Sequence, residues 1–297
     1  MNVNRMIARG FGVGALSAAA LLLAGPCYAD SSSETLQLTG LVRDFRAYNA
    51  PHGHPDFQTD PDLGFGIYNG NVSPMLGSDG KPVYTGAGWL TKTQWKTVAN
   101  KPICYLLYDA SLGDKKGTKG GASTGAITSA ASFYQWYNDV PGVNMSQPLS
   151  LTLHLQSDGT YVFDDKTDPE FASKGGFFPI DDQLFGNSGG IPNHNFHFTF
   201  ELHTTFKYRS GQNQTFKFIG DDDVWVYIDN KLVIDLGGVH GAQEQIVHLD
   251  RLGLTNGEHY NLDFFFAERH YTQSNFRIQT NIDLTSTALP AVSAVFD

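Results

Sequence analysis

The sequence predicts an all-β fold, an antiparallel β-sandwich or flattened barrel with long loops and one or two short helices. Three observations carry this. Strand-length segments of alternating polarity succeed one another from Leu149 to Leu284 with short turns between them. Only Ser129 to Tyr137 has helical spacing, with Phe133, Trp136 and Tyr137 able to share a face. The stretch FKFIGDDDVWVYIDNKLVIDLGGVH, Phe216 to His240, reads as strand, acidic turn, strand, tight turn, strand. There, Val224, Val226 and Ile228 alternate with Trp225 and Tyr227, and Asp229-Asn230 turns the chain before Leu232, Val233 and Ile234. Strands joined to strands without intervening helices pair antiparallel and pack face to face.

Residues 1–29 have the pattern of a secretory leader. Arg5 and Arg9 form a positive start, Ala15 to Ala24 is apolar, and Cys27-Tyr28-Ala29 ends in a small residue. Cleavage there would start the mature chain at Asp30 and place it outside the cell. The alternative, an uncleaved anchor, meets an apolar run short for a membrane span and lacking a stop-transfer pattern. Pro26 and Tyr28 around Cys27 make a poor lipoprotein context. Without the leader, 18 Lys and Arg face 30 Asp and Glu, a net charge of −12. That charge disfavours nucleic acid and anionic membrane as partners. Cys104 is then the only cysteine, so no intramolecular disulfide is expected; in the apolar run Ile103 to Tyr108 it reads as a buried thiol. A single domain over residues 30–284 has length enough to bury its own core.

In chain order, Leu36 to Val42 reads as a first strand and leads into a loop forced by Pro51, Gly53 and Pro55. Asp60 to Lys81 is long irregular chain, of the kind that is functional or mobile in compact domains. Trp89 to Thr97 is expected as a short helix or turn, Ile103 to Tyr108 as a strand, and the Gly- and Lys-rich segment Gly113 to Gly125 as an exposed loop. Leu149 to Leu155 and Tyr161 to Phe163 make a hairpin across Ser157-Asp158-Gly159. In the next strand Phe196, Phe198, Phe200 and Leu202 face one way and His197, Thr199, Glu201 and His203 the other, with Phe206 and Tyr208 extending the parity. Gln245 to Leu249, Tyr260 to Phe266 and Phe276 to Leu284 complete the strands. Residues 285–297 have lost the alternation and read as a flexible end.

Within this frame, LTGLVRDF, HPDF, WYNDVPGVN at Trp136, HNFHFTFEL at His194, GDDDVWVYIDNKLVIDLGGVH and AERHYTQSNFRI at Ala267 together resemble the fibro-slime family of secreted bacterial and slime-mould proteins. The second half is similar to the protective-antigen-type β-sandwich, which binds sugars in yeast flocculins and accompanies some glycosidases. In the sugar-binding members, two consecutive Asp residues joined by a cis peptide hold calcium, and the ion binds vicinal sugar hydroxyls. The resemblance implies Asp221 and Asp222 as that pair and Asn275 as the ligand from a second loop. It also sets Asp223 apart, since glycosidase-associated members often have Gly there.

The residues add physical support. Three adjacent carboxylates repel one another unless solvent or a cation relieves them. Calcium takes carboxylate, amide and carbonyl oxygens without stringent geometry. A solvated turn whose Asp side chains bond nearby amides is the competing account. Asp223, His240, Glu268 and His270 are candidate ligand contacts. For His240 a turn residue, and for Glu268, Arg269 and His270 a loop ion pair, are the alternatives. Zinc on His194 and His197 is disfavoured, because three residues apart in a strand they point to opposite faces.

Gly186-Asn187-Ser188-Gly189-Gly190 matches strings found around nucleophilic serines. The flanking Pro179 and Pro192 do not supply the strand and helix that a hydrolase elbow needs. The expected function is therefore non-enzymatic: a secreted, calcium-dependent carbohydrate-binding or adhesion protein whose partner is an extracellular glycan. A structural or protein-binding matrix module is the alternative, and a serine hydrolase using Ser188 a remote one. Glycan specificity would sit in irregular loops such as 60–81 and 113–125.

Overall fold

The computed structural model describes residues 33–287 and Leu289. The predicted leader, and all but the first residues of the predicted flexible end, lie outside that range. Most strands belong to one large antiparallel sheet: β1 (Thr35–Asp44), β7 (Met145–Leu155), β8 (Tyr161–Asp164), β9 (Phe198–Lys207), β10 (Thr215–Gly220), β11 (Asp223–Ile228), β12 (Lys231–Leu236), β13 (Gln243–His248), β14 (His259–Glu268), β15 (Phe276–Thr280) and β16 (Thr285–Ser286). Its order is β12-β11-β14-β9-β1-β7-β8-β15-β10-β13, with β16 added to β9. The sheet folds over on itself around one apolar core, as the sandwich prediction requires. Leu38, Leu151, Phe163, Phe200, Phe218, Val226, Phe264 and Ile278 all contribute to that core.

The two ends of this strand order, β12 and β13, meet through a side chain rather than a backbone ladder. Gln245 accepts the Asp235 N–H at 2.9 Å and donates to the Asp235 carbonyl at 3.0 Å, so its amide stands in for a peptide group. Gln245 is buried, and its removal strands the Asp235 N–H, while the Asp235 carbonyl keeps only the Asn69 amide at 2.6 Å. Gln245→Ala is expected to cost about 1–3 kcal/mol in a urea unfolding titration, whereas a surface glutamine change would leave the midpoint nearly unmoved.

The second layer departs from expectation. Residues 45–137 cover the outer face of β11, β12 and β14, where Phe45, Phe57, Phe133, Trp136, Tyr137, Trp225, Tyr227 and Phe265 form a separate aromatic core. Both faces of β11 are therefore buried. Within this layer Trp89 to Thr97 is not helical: Trp89–Thr93 (β3) pairs with Tyr68–Asn69 (β2) and Thr118–Ala122 (β6), and Trp95–Lys96 (β4) pairs with Pro102–Ile103 (β5). The chain after Ile103 turns into short 3-10 segments at Tyr105–Leu107 and Ala110–Leu112 instead of continuing as strand. Gly113 to Gly125 is largely exposed, as expected, but its middle is a strand because β3 offers it an edge. The predicted helix is the shorter α1 (Ala130–Tyr134), capped by Ser129, whose side chain accepts the Ser132 N–H. An unpredicted helix, α2 (Pro169–Lys174), starts on Asp168 with Pro at its first turn and ends on Gly175. The strand at Phe276 stops at Thr280, and Thr285–Ser286 pairs with β9. Cys104 is a buried free thiol.

Because the second layer covers it, the polar face of β9 is also buried. Glu201 is ion-paired with Arg43 at 2.8 Å and with Lys81, and accepts from His203, which bonds Asp263 at 2.7 Å. Desolvation opposes ionisation of both Glu201 and His203, but these partners outweigh it: Glu201 is lowered to about 2 and His203 raised to about 9. A histidine raised above its ordinary 6.5 contributes stability that is complete below that pH and is lost as pH climbs through about 9. Thermal melting should therefore decline over this window by up to roughly 3 kcal/mol of unfolding free energy, and His203→Gln should flatten the decline.

Candidate ligand site at the acidic strand end

The row of acids lies where β10 passes into β11. Gly220 closes β10, and a Cβ there would meet the Asn275 carbonyl oxygen at 2.1 Å, so glycine lets the loop before β15 approach. The next peptide bond, Asp221-Asp222, is cis. Asp221, Asp222 and Asp223 are all buried, so the row is not a solvated turn.

The three carboxylates have separate partners. Asn275 donates to both oxygens of Asp221, from its backbone N–H and its amide, each at 2.6 Å. Asp222 accepts the His240 N–H at 3.0 Å and the Arg269 N–H at 3.2 Å. Asp223 accepts the Gly238 N–H at 2.5 Å and is gripped by Arg269, with Nε at 2.6 Å and Nη2 at 3.3 Å. Arg269 is itself wholly buried and donates onward to the carbonyls of Gly125 and Ala126, at 3.0 and 3.2 Å. It thus ties the acidic turn to the second layer.

Asp221 and Asp222 line a cleft of about 220 Å³ with Phe65, His240, His270 and Tyr271. Asp223 and Glu268 do not line it. Asp223, a candidate ligand contact, faces Arg269 behind the cleft because β11 alternates the directions of its side chains. Glu268, another candidate, is wholly buried; its Oε1 accepts the His270 N–H at 3.4 Å, and its Oε2 has no hydrogen-bond partner. Burial pushes the carboxyls of Asp221, Asp222 and Glu268 above the usual range. Neighbouring acids add to this: Asp221 and Asp223 act on Asp222, and Asp222 and Asp221 on Glu268. Among the described residues, no three His, Cys, Asp or Glu side chains already converge as a metal-binding group.

His240 is a hydrogen-bonded turn residue, the alternative given for it. It lies in the cleft wall, and its ring nitrogens bond the carbonyls of Leu236 and Gly241 at 3.1 and 3.0 Å. Gly238 before it has φ 103°, and a Cβ there would strike the Tyr68 ring at 2.5 Å. His270 lies 2.8 Å from exposed Asp60 and Arg269 pairs with Asp223, so Glu268, Arg269 and His270 do not pair with one another as the loop ion pair would have it. Sequence reasoning missed the Arg269 to Asp223 pair and the contribution of Phe65. The signal for the first was a lone Arg ending an apolar strand, and for the second nothing beyond an aromatic in a glycine-rich loop.

The other candidate centres are accounted for by local bonding. Ser188 accepts the Phe196 N–H at 2.9 Å through its hydroxyl, which lies 3.4 Å from the His194 carbonyl; none of its hydrogen bonds is to an imidazole. His194 bonds Asp181 at 2.6 Å and stacks on Phe178, while His197 bonds Gln58 at 3.1 Å, so the two imidazoles serve different loops.

The architecture is that of a β-sandwich module with a cleft at one strand end. Residues 179–288 match the PA14 domain, a stretch that contains Asp221, Asp222, Asp223, His240, Glu268, His270 and Asn275. The chain is also similar to three proteins of Dictyostelium discoideum. It is 38% identical to psiD over 232 residues, covering 76% of this chain and 38% of psiD. It is 34% identical to psiR over 264 residues, covering 84% of this chain and 22% of psiR. With psiQ the identity is 35% over 266 residues, covering 86% of this chain and 22% of psiQ. The chain therefore spans well under half the length of these relatives.

Proposed function

We propose that the chain is a secreted carbohydrate-binding or adhesion protein that works through calcium held at the Asp221-Asp222 pair. The observation that carries the proposal is a charge imbalance. Asp221, Asp222, Asp223 and Glu268 are buried together, and the one guanidinium bonded among them, Arg269, is taken by Asp223. Buried carboxylates without a counter-charge stay protonated or recruit a cation.

The donors present fit calcium. Asp221 and Asp222 would supply carboxylate oxygens from the cleft wall and Asn275 its amide oxygen, with backbone carbonyls completing a shell of about six to eight oxygens. Glu268, with an oxygen lacking any partner, would add negative charge behind the pair. When bound, such an ion offers open coordination positions to vicinal hydroxyls of a sugar. The chain's own residues hold the carboxylates in place: the amides of Asn275, His240 and Arg269 fix Asp221 and Asp222 before any ion arrives. The PA14 match supports a carbohydrate role, and the predicted leader supports secretion. Calorimetric titration with calcium should give binding in the parent and none in Asp221→Ala or Asp222→Ala. A parent that binds no calcium would end the proposal. If calcium binds but a glycan array gives no hits with or without chelator, the ion serves a structural or protein-binding module instead.

A further inference from the structure

We propose that the cleft beside Asp221 and Asp222 is the first part of a longer groove that crosses His270 and ends at Tyr48, and that the groove takes an oligosaccharide of several units. This rests on the carbohydrate reading above and names the size of ligand that reading leaves open. His270 lines two adjoining clefts, the first of about 220 Å³ and a second of about 760 Å³ whose walls include Tyr48, Gln58, Thr59 and Asp60. Sites for small organic ligands commonly occupy ~300–1,000 Å³, so the first cleft alone is small, whereas the second lies within that range.

Each cleft carries one exposed aromatic face. Phe65 is 61% exposed beside the first and Tyr48 54% exposed beside the second, although most aromatic rings of this chain are buried. Isolated exposed rings are ordinary on a protein surface. Here, however, each stands in a cleft wall, and polar groups lie between them. A flat apolar ring suits the C–H face of a pyranose, and the polar groups around it suit the hydroxyls on its edge. This alternation fits a sugar chain better than an apolar peptide.

The floor between the rings is braced. Gln58 bonds His270 and His197, each at 3.1 Å, and accepts the Tyr271 N–H at 3.1 Å. Phe65 packs edge-on against His270 with ring centres 5.1 Å apart, and the Asp60 carboxylate lies 2.8 Å from Nε2 on the solvent side, the same ring nitrogen that faces the Gln58 amide. Fixed groups of this kind give affinity without an ordering cost at binding. Tyr48, Gln58, Asp60 and Phe65 all come from the second layer, outside the stretch that matches the PA14 domain.

The test is calorimetric titration of the full chain, saturated with calcium, against gluco-, manno- and galacto-oligosaccharides of one to four units. For the sugar that binds, affinity should rise about tenfold or more from one unit to four. Tyr48→Ala should remove most of that gain while leaving single-unit binding within about twofold, since Tyr48 lines only the second cleft, whereas Phe65→Ala should weaken binding at every length, since Phe65 lines the cleft that holds the carboxylates. Equal affinity for one unit and four in the parent, or four-unit binding unchanged in Tyr48→Ala, would overturn the groove alone. Calcium binding with no saccharide bound at any length would overturn the carbohydrate reading and the groove with it.

Discussion

Arg269→Met is expected to lower the unfolding free energy by about 3–5 kcal/mol, the range for removing one partner of a buried ion pair. Methionine keeps much of the side-chain volume, so the loss reports charge and hydrogen bonds rather than a cavity. Three consequences add. Asp223 is left as an unpaired carboxylate with no exposure, the carbonyls of Gly125 and Ala126 lose their donors, and the second layer loses its tie to the acidic turn. Urea unfolding gives the magnitude. The double variant Arg269→Met/Asp223→Asn should recover part of it, because the stranded charge is then gone. Recovery of nothing would mean that the carbonyl bonds, not the ion pair, hold the layers together.

Glu268→Gln is expected to act in opposite directions with and without calcium. In chelator the variant should be more stable than the parent by about 1–3 kcal/mol, because an unsatisfied buried carboxyl oxygen is replaced by an amide that can donate to the acids around it. In calcium it should lose affinity, since the charge behind Asp221 and Asp222 has fallen by one. The parent should gain about 2.7 kcal/mol when calcium reaches a hundred times its dissociation constant, and the variant less at the same concentration. Melting curves in the two conditions are sufficient. A variant less stable than the parent in chelator would mean that Glu268 is satisfied as it stands and that the cluster carries no excess charge.

The strands of the large sheet were legible because their side chains obey period 2 and their core residues are large: Phe198, Phe200 and Leu202 in β9, or Val224 and Val226 in β11. The second layer was not. His197, Thr199, Glu201 and His203 alternate as a solvent-facing set would, and nothing local reveals that residues 45–137 fold over them. Burial there is met by long-range partners such as Arg43 and Lys81, which no periodicity records. Trp89 to Thr93 and Thr118 to Ala122 are strands only because each supplies the other with an edge. The acidic turn was visible as three carboxylates in a row, and the resemblance singled out the first two. What separates them from Asp223 is register: β11 sends Asp223 toward Arg269, 46 residues away, and that pairing depends on the whole β11 to β14 ladder.

The central claim is that the buried carboxylates beside the cleft hold a cation. Anomalous scattering from a crystal grown with calcium tests it most directly. The expected result is a single strong peak in the cleft within about 2.3–2.6 Å of oxygens from Asp221 and Asp222, with the Asn275 amide oxygen in the same shell. A clean cleft in calcium-grown crystals, with both carboxylates bonded only to the amides of Asn275, His240 and Arg269, would contradict it.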